Sequence, residues 1–193
     1  GQCTLWIGTL GGLSRYRSGR FESYSGDTTV SSHGTVMSLR RIEALFVDRE
    51  DNLWVGTRAD GLARLWDSQF TSFTAGLTSD FNSVMEDRQG GMWIGSEVGL
   101  RHLVGSGVES FALPSGITAG CLAEDHAGVV WIGTHQGVFK VQAGVLSRVT
   151  LGALDQLAVT VLFVDLSGNL WIGMRQGGLF ELSEGKLRHL GTA

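Results

Sequence analysis

The sequence predicts an all-β chain: a β-propeller segment built from four-stranded antiparallel blades, with about five blades in its 193 residues. Three observations predict it. First, a tryptophan phrase recurs five times, as LWIGT at 5–9, LWVGT at 53–57, MWIGS at 92–96, VWIGT at 130–134 and LWIGM at 170–174. Its tryptophans, Trp6, Trp54, Trp93, Trp131 and Trp171, are spaced by 48, 39, 38 and 40 residues, the period of a four-stranded blade. Second, an aspartate stands six residues before the Trp in the last four copies: Asp48, Asp87, Asp125 and Asp165. Third, short alternating segments bounded by Gly, Asp, Asn and Ser turns fill the intervals, and no helical period of useful length appears.

Each unit reads as four strands. Strand A is an apolar, β-prone run ending at the Asp, such as IEALFV before Asp48 or VTVLFV before Asp165. Strand B carries the Trp. A blade packs on neighbours through both faces, so a middle strand such as LWI is continuously apolar. The Trp supplies a large contact area and an N–H that needs one partner. The Gly after it allows close approach of a neighbour, and the Asp can accept backbone N–H bonds as an Asx-turn. Strand C opens at a Gly-aliphatic pair (Gly12-Leu13, Gly61-Leu62, Gly99-Leu100, Gly137-Val138, Gly178-Leu179), and a short polar turn leads to strand D. The repeats fall at about 1–24 (partial), 42–73, 81–111, 119–149 and 159–190 of a single segment, 1–193. The first unit has no strand A and no Asp, so the chain reads as a piece of a longer one, and its terminal strands need pairing partners.

Composition narrows the function. Twenty-nine Gly, one Pro and 42% hydrophobic residues describe a turn-rich globular chain. The net charge of −4 argues against a nucleic-acid partner. No apolar run approaches the ~18 residues of a membrane span, so no membrane contact is expected within this segment. Cys3 and Cys121 lack metal-ligand spacing, and Cys121 reads as a small buried hydrophobe in a strand A. Neither a metal nor a cofactor is called for, and the usual nucleophile, phosphate-loop and zinc signatures are missing. Four aspartates at one repeat position are turn formers rather than a catalytic set. His102 and His189, on strands C and D, read as surface strand residues.

The pattern from Val159 to Leu179, V-x-x-L-F-V-D-x-x-G-N-L-W-I-G-x-x-x-G-G-L, resembles the two-component regulator propeller repeat, and so does DRQGGMWIGS at 87–96. A WD repeat would place Trp-Asp at a strand end, and that pair occurs once, at Trp66-Asp67; the double glycine of a kelch repeat occurs in two units only. The resemblance implies a propeller in the periplasmic or extracellular part of a membrane-anchored bacterial sensor. It implies a soluble ligand, in many members a glycan fragment, or a dimerisation role, with output modules elsewhere in the longer chain.

Positions that every unit keeps are scaffold; equivalent positions that differ are free for function. The loops between strands B and C vary: Leu10-Gly11, then Arg58-Ala59-Asp60, Glu97-Val98, His135-Gln136 and Arg175-Gln176. Loops at the ends of rigid strands commonly carry binding residues, and this set suits a polar or anionic ligand such as a sugar acid. The connection from strand D to the next strand A is long after the first unit, 17 residues from Ser25 to Arg41, and brings His33, Arg40 and Arg41 to the same face. The candidate binding residues are therefore Arg58, Asp60, Glu97, His135, Gln136, Arg175, Gln176, His33, Arg40 and Arg41. Three readings stay open: a ligand-sensing segment, a pure assembly or dimerisation module, and a propeller enzyme of the glycosidase or lyase type. For the last, Asp60 and Glu97 are the available carboxylates.

Overall fold

The computed structural model describes residues 4–25, 29–32, 35–58, 61–66, 69–73 and 81–191. Cys3, His33 and Asp60 lie outside them. The chain divides into two compact units, Gly1–Val84 and Met85–Ala193, each taken by itself below.

In the first unit, β1 (Thr4–Thr9), β2 (Gly12–Arg17) and β3 (Arg20–Ser25) form a three-stranded sheet in that order. The long connection that follows contains a hairpin of β4 (Thr29–Ser32) and β5 (Thr35–Ser38). A four-stranded sheet then runs β6 (Ile42–Val47), β7 (Leu53–Thr57), β8 (Leu62–Trp66) and β9 (Gln69–Phe73), and β4 lies beside β9. The unit boundary falls within β10 (Phe81–Glu86), which heads the sheet completed by β11 (Met92–Ser96), β12 (Gly99–Val104) and β13 (Gly107–Phe111). Two further sheets follow: β14 (Ala119–Glu124), β15 (Val130–Thr134), β16 (Gly137–Gln142) and β17 (Val145–Val149), then β18 (Val159–Val164), β19 (Leu170–Met174), β20 (Gly178–Ser183) and β21 (Lys186–His189). Strands adjacent in sequence pair antiparallel within these sheets, so each sheet is a meander. One 3-10 turn, Gly152–Gln156, was not legible in the sequence; it lies in the connection before β18.

The tryptophan strands of the second to fifth sheets are mostly buried, whereas β1, with Trp6, is half-buried to exposed. Every residue of β7 and of β11 is buried, as expected of a strand covered on both faces. In the second unit, one core joins the third and fourth sheets through Trp93, Leu100, Ile117, Ile132 and Phe139. Another joins the fourth and fifth through Val138, Val159, Leu162, Ile172 and Phe180. Cys121 packs against this second core, and burial pushes its thiol up to about 11, which keeps it protonated and inert. The glycine of the Trp phrase is where the sheets meet most closely. A Cβ on Gly133 would stand 2.3 Å from Cys121 Sγ and 2.7 Å from Val159 Cγ1, and one on Gly8 would stand 2.5 Å from Ile42 Cγ2. The first residue of a strand A thus sits against the glycine of the preceding sheet. The register of strand A on strand B then slips by one residue at Glu43, Gly120 and Thr160, the mark of a β-bulge.

The repeated aspartate and tryptophan are partners. Trp54 Nε1–H donates to Asp48 Oδ2 (2.7 Å), Trp93 to Asp87 (3.0 Å), Trp131 to Asp125 (2.9 Å) and Trp171 to Asp165 (2.9 Å). The other carboxylate oxygen accepts two backbone N–H groups of the A–B turn, from Glu50 and Asn52 in the second sheet and from Ser167 and Asn169 in the fifth. One side chain therefore closes the turn and satisfies the indole, the single partner that a buried Trp needs. The Thr or Ser ending the phrase closes the other hairpin: Thr57, Ser96 and Thr134 donate to the carbonyls of Gly61, Gly99 and Gly137. Met174 occupies that place in the fifth sheet.

These bonds also set the acid behaviour. The bond from Trp171 leads the groups that hold Asp165 down, to about 2. At Asp48, burial opposes the charge, but the bonds from Trp54, Asn52 and Glu50 outweigh it and the net shift is downward. A carboxylate held below its unfolded value adds stability above that unfolded value, and the contribution is lost as pH falls through the folded one. Replacing Asp48 by Asn is expected to cost about 1–3 kcal/mol at neutral pH. It should also flatten the loss of stability on acidification below about pH 4. Urea unfolding of both proteins across that range checks both points; equal acid slopes would show that Asp48 does not contribute.

Candidate functional site

In the first unit the connection before β6 ties two B–C loops together. Arg41, at φ 52°, donates its N–H to Leu10 O (3.1 Å) and accepts the Arg58 N–H on its own carbonyl (3.0 Å). The Arg58 guanidinium lies 3.8 Å from Glu43, the bulge residue of β6. Arg40, next in the chain, is exposed, and its N–H donates to Ser38 Oγ. The structure therefore brings Arg41 and Arg58 together.

The second unit repeats the arrangement with a different lining. Gly137 N–H donates to Leu157 O (3.1 Å) and Arg175 N–H to Ala158 O (2.9 Å), so the backbone at 157–158 bridges the loops after β15 and β19. Gly137 sits at φ 88°, and a Cβ there would stand 2.8 Å from Asp155 O, so only glycine admits this approach. Around the bridge lies a depression of about 220 Å³ lined by His135, Gln156, Leu157, Ala158, Arg175 and Gln176. Three residues expected from the sequence, His135, Arg175 and Gln176, thus converge. Gln136 stands beside them, its amide 3.3 Å from the His135 ring. Glu97 is exposed on the loop after β11 and is not among the lining residues.

Sequence reasoning missed Gln156, Leu157 and Ala158 because their part is played by backbone groups in a connection with no repeat counterpart. It also missed Arg148. That guanidinium donates to Gln136 O (2.9 Å) and to Asp155 O, and stacks over Phe139 at 5.6 Å. Asp155 accepts the Leu151 N–H in turn (2.6 Å). Arg148 therefore ties the loop after β15 to the 3-10 turn that precedes the bridge. Arg175 and Gln176 are exposed and make no side-chain hydrogen bond among the described residues. The site offers a guanidinium, an imidazole and amides around an apolar floor at Leu157, a donor set that suits a carboxylate bearing hydroxyls.

His102 needs correction: it is not a surface strand residue. Its side chain is 13% exposed, and Nε2 lies 2.7 Å from Asp87 Oδ2. Its ring stacks on Trp93 at 4.0 Å. His189 stacks on Phe180 and meets Gly177 O.

Residues 76–97 and 112–136 match the family model described as two component regulator propeller. Among solved structures it is similar to the extracellular domain of the putative one component system BT4673 from B. thetaiotaomicron, at 23% identity and TM-score 0.80, over 98% of this chain and 26% of that one. It is also similar to the extracellular domain of the putative hybrid two component system BT3049 from the same organism, at 19% identity and TM-score 0.78, over 97% and 28%. A catalytically inactive virginiamycin B lyase from Staphylococcus aureus is similar at 12% identity and TM-score 0.78, over 98% and 67%. No curated protein matches the sequence. The likenesses show the fold: an all-β chain of four-stranded antiparallel propeller blades. This chain spans about a quarter of the length of the BT4673 extracellular domain. Among the described residues, no helix is long and apolar enough to cross a membrane.

Because Arg148 joins the loop to the 3-10 turn of the fourth-to-fifth connection, Arg148→Ala is expected to raise amide exchange at 152–158 several-fold while strands β14 to β16 keep their protection. Hydrogen exchange read by mass spectrometry checks this; unchanged exchange at 152–158 would remove Arg148 from the site.

Proposed function

We propose that this chain is a ligand-sensing propeller segment from the periplasmic or extracellular part of a membrane-anchored bacterial signalling receptor. It has no catalysis of its own, and the output modules lie elsewhere in the longer chain. The observation that carries the reading is the convergence of His135, Arg175 and Gln176 on one depression in the second unit. The likeness to the extracellular domains of one-component and hybrid two-component systems supports the receptor setting. The ligand is a soluble small molecule or oligosaccharide with an acidic group, bound by Arg175 with amide contacts from Gln156 and Gln176 to its hydroxyls. It acts by favouring one arrangement of the receptor over another, since a ligand shifts an equilibrium only by its differential affinity.

Titration calorimetry of the chain with galacturonic acid and its short oligomers, against neutral glucose oligomers, tests this. Binding of the acidic sugars alone is expected, weakened by about tenfold or more in Arg175→Ala, the loss of one charge-assisted contact. Equal binding by the variant, or none by the chain, overturns the ligand-site reading.

A second reading, assembly, is favoured by one observation. Val161 (51% exposed) and Phe163 (61%) present an apolar face on β18, followed by fully exposed Leu166 in the next turn. Their counterparts on β14, Cys121 and Ala123, pack in the core between sheets. Homo-oligomerisation through this face predicts a solution mass above that of one chain, reduced to one chain by Phe163→Asp; light scattering reads both. A monomer at all concentrations removes this reading and leaves the ligand site untouched.

A further inference from the structure

The residue that faces each blade tryptophan across the B–C pair follows a rule the sequence hides. The register pairs Trp6 with Arg15, Trp54 with Arg64, Trp93 with His102, Trp131 with Lys140 and Trp171 with Glu181. Arg15 and Arg64 lie over their indoles at 5.6 Å and Lys140 at 5.9 Å, as cation–π partners. Three blades thus cover the indole with a permanent cation. The third blade uses an imidazole, the side chain whose charge changes near neutral pH.

His102 is bracketed by carboxylates. Nε2 meets Asp87 Oδ2, the same oxygen that holds the Trp93 indole, and Nδ1 lies 3.6 Å from Glu109 Oε2 on β13. Gly91 packs tightly beside this contact: a Cβ there would stand 2.4 Å from His102 Nε2. A crevice of about 230 Å³ runs along the site, and its titratable lining residues are Asp87, His102, Glu109 and Glu124. Glu124 already accepts the Arg88 N–H, and the Arg88 guanidinium donates to His126 O. The charged groups facing the imidazole are therefore carboxylates, Asp87 at 8% side-chain exposure and Glu109 at 67%.

We propose that His102 is a proton-operated strap in the third blade. Neutral, the ring has one N–H, which goes to Asp87; Nδ1 then turns a lone pair toward the Glu109 carboxylate, and that side chain is released to solvent. Protonated, Nδ1–H donates to Glu109. The A–B turn, strand C and strand D are then linked through Asp87, His102 and Glu109, with a cation on Trp93 as in the other three blades. Acidification thus tightens the blade, and alkalinisation leaves it fastened at Asp87 alone.

Urea unfolding of the chain, His102→Gln and His102→Lys between about pH 8 and about pH 5.5 tests the strap. The unfolding constant of His102→Gln relative to the chain is expected to grow roughly fivefold as pH falls, while that of His102→Lys relative to His102→Gln stays constant. Glu109→Gln, at an exposed position, should remove most of the pH dependence. A gap between the chain and His102→Gln that does not change with pH overturns the proposal. Should His102→Gln fail to fold, nitrogen-detected NMR of the His102 ring in the unaltered chain and in Glu109→Gln decides it. Titration curves that superimpose reject the strap; loss of the charged ring at higher acidity in Glu109→Gln supports it.

Discussion

Four of these blades share one bond, between a turn carboxylate and an indole, around which the rest of the hairpin is arranged. An A–B hairpin leaves backbone N–H groups at its turn, and a Trp buried between sheets leaves an indole N–H away from water. Each would be costly unpaired. One aspartate satisfies both, with Oδ1 on the turn and Oδ2 on the indole. The ring is then fixed in place, so the strand C residue across from it can take a set position over its face. The clasp therefore transmits order outward from the turn, through strand B, to strand C. The fifth blade shows how far the outward part can vary. Glu181 replaces the cation and pairs with Arg188 on strand D instead, while the Asp165–Trp171 bond remains.

The second constraint is the glycine two residues after each Trp. It brings the next sheet so close that a methyl group at Gly133 would meet Val159 of that sheet as well as Cys121 of its own. Sheets packed this tightly leave little freedom where strand A meets the glycine, and the loops beyond the strand ends vary more freely. Backbone groups of the D–A connections bond to residues of the loops after strand B, at Leu10 and Arg58 through Arg41 in one unit and at Gly137 and Arg175 through Leu157 and Ala158 in the other. Loops held by backbone bonds can change side chains without changing course, which is what a binding surface on a repeated scaffold requires.

The amino-acid sequence by itself determined the blade strands and their order, while the β4–β5 hairpin read only as part of a long connection. The tryptophan period, the glycine pairs and the aspartates mark each hairpin locally, and adjacent antiparallel strands need only short-range information. It also singled out His135, Arg175 and Gln176, which line one depression, because unlike residues at like positions stand out in a repeat. What only the tertiary structure decided was register and proximity. The nine- or ten-residue interval from each Trp to its strand C partner becomes meaningful once pairing shows that Arg15, Arg64, His102 and Lys140 cover an indole, so His102 read as a surface residue until then. The part played by Arg148 and by the carbonyls of 155–158 was hidden for a related reason. Backbone groups carry no side-chain signature, and the turn that presents them has no counterpart in the other repeats.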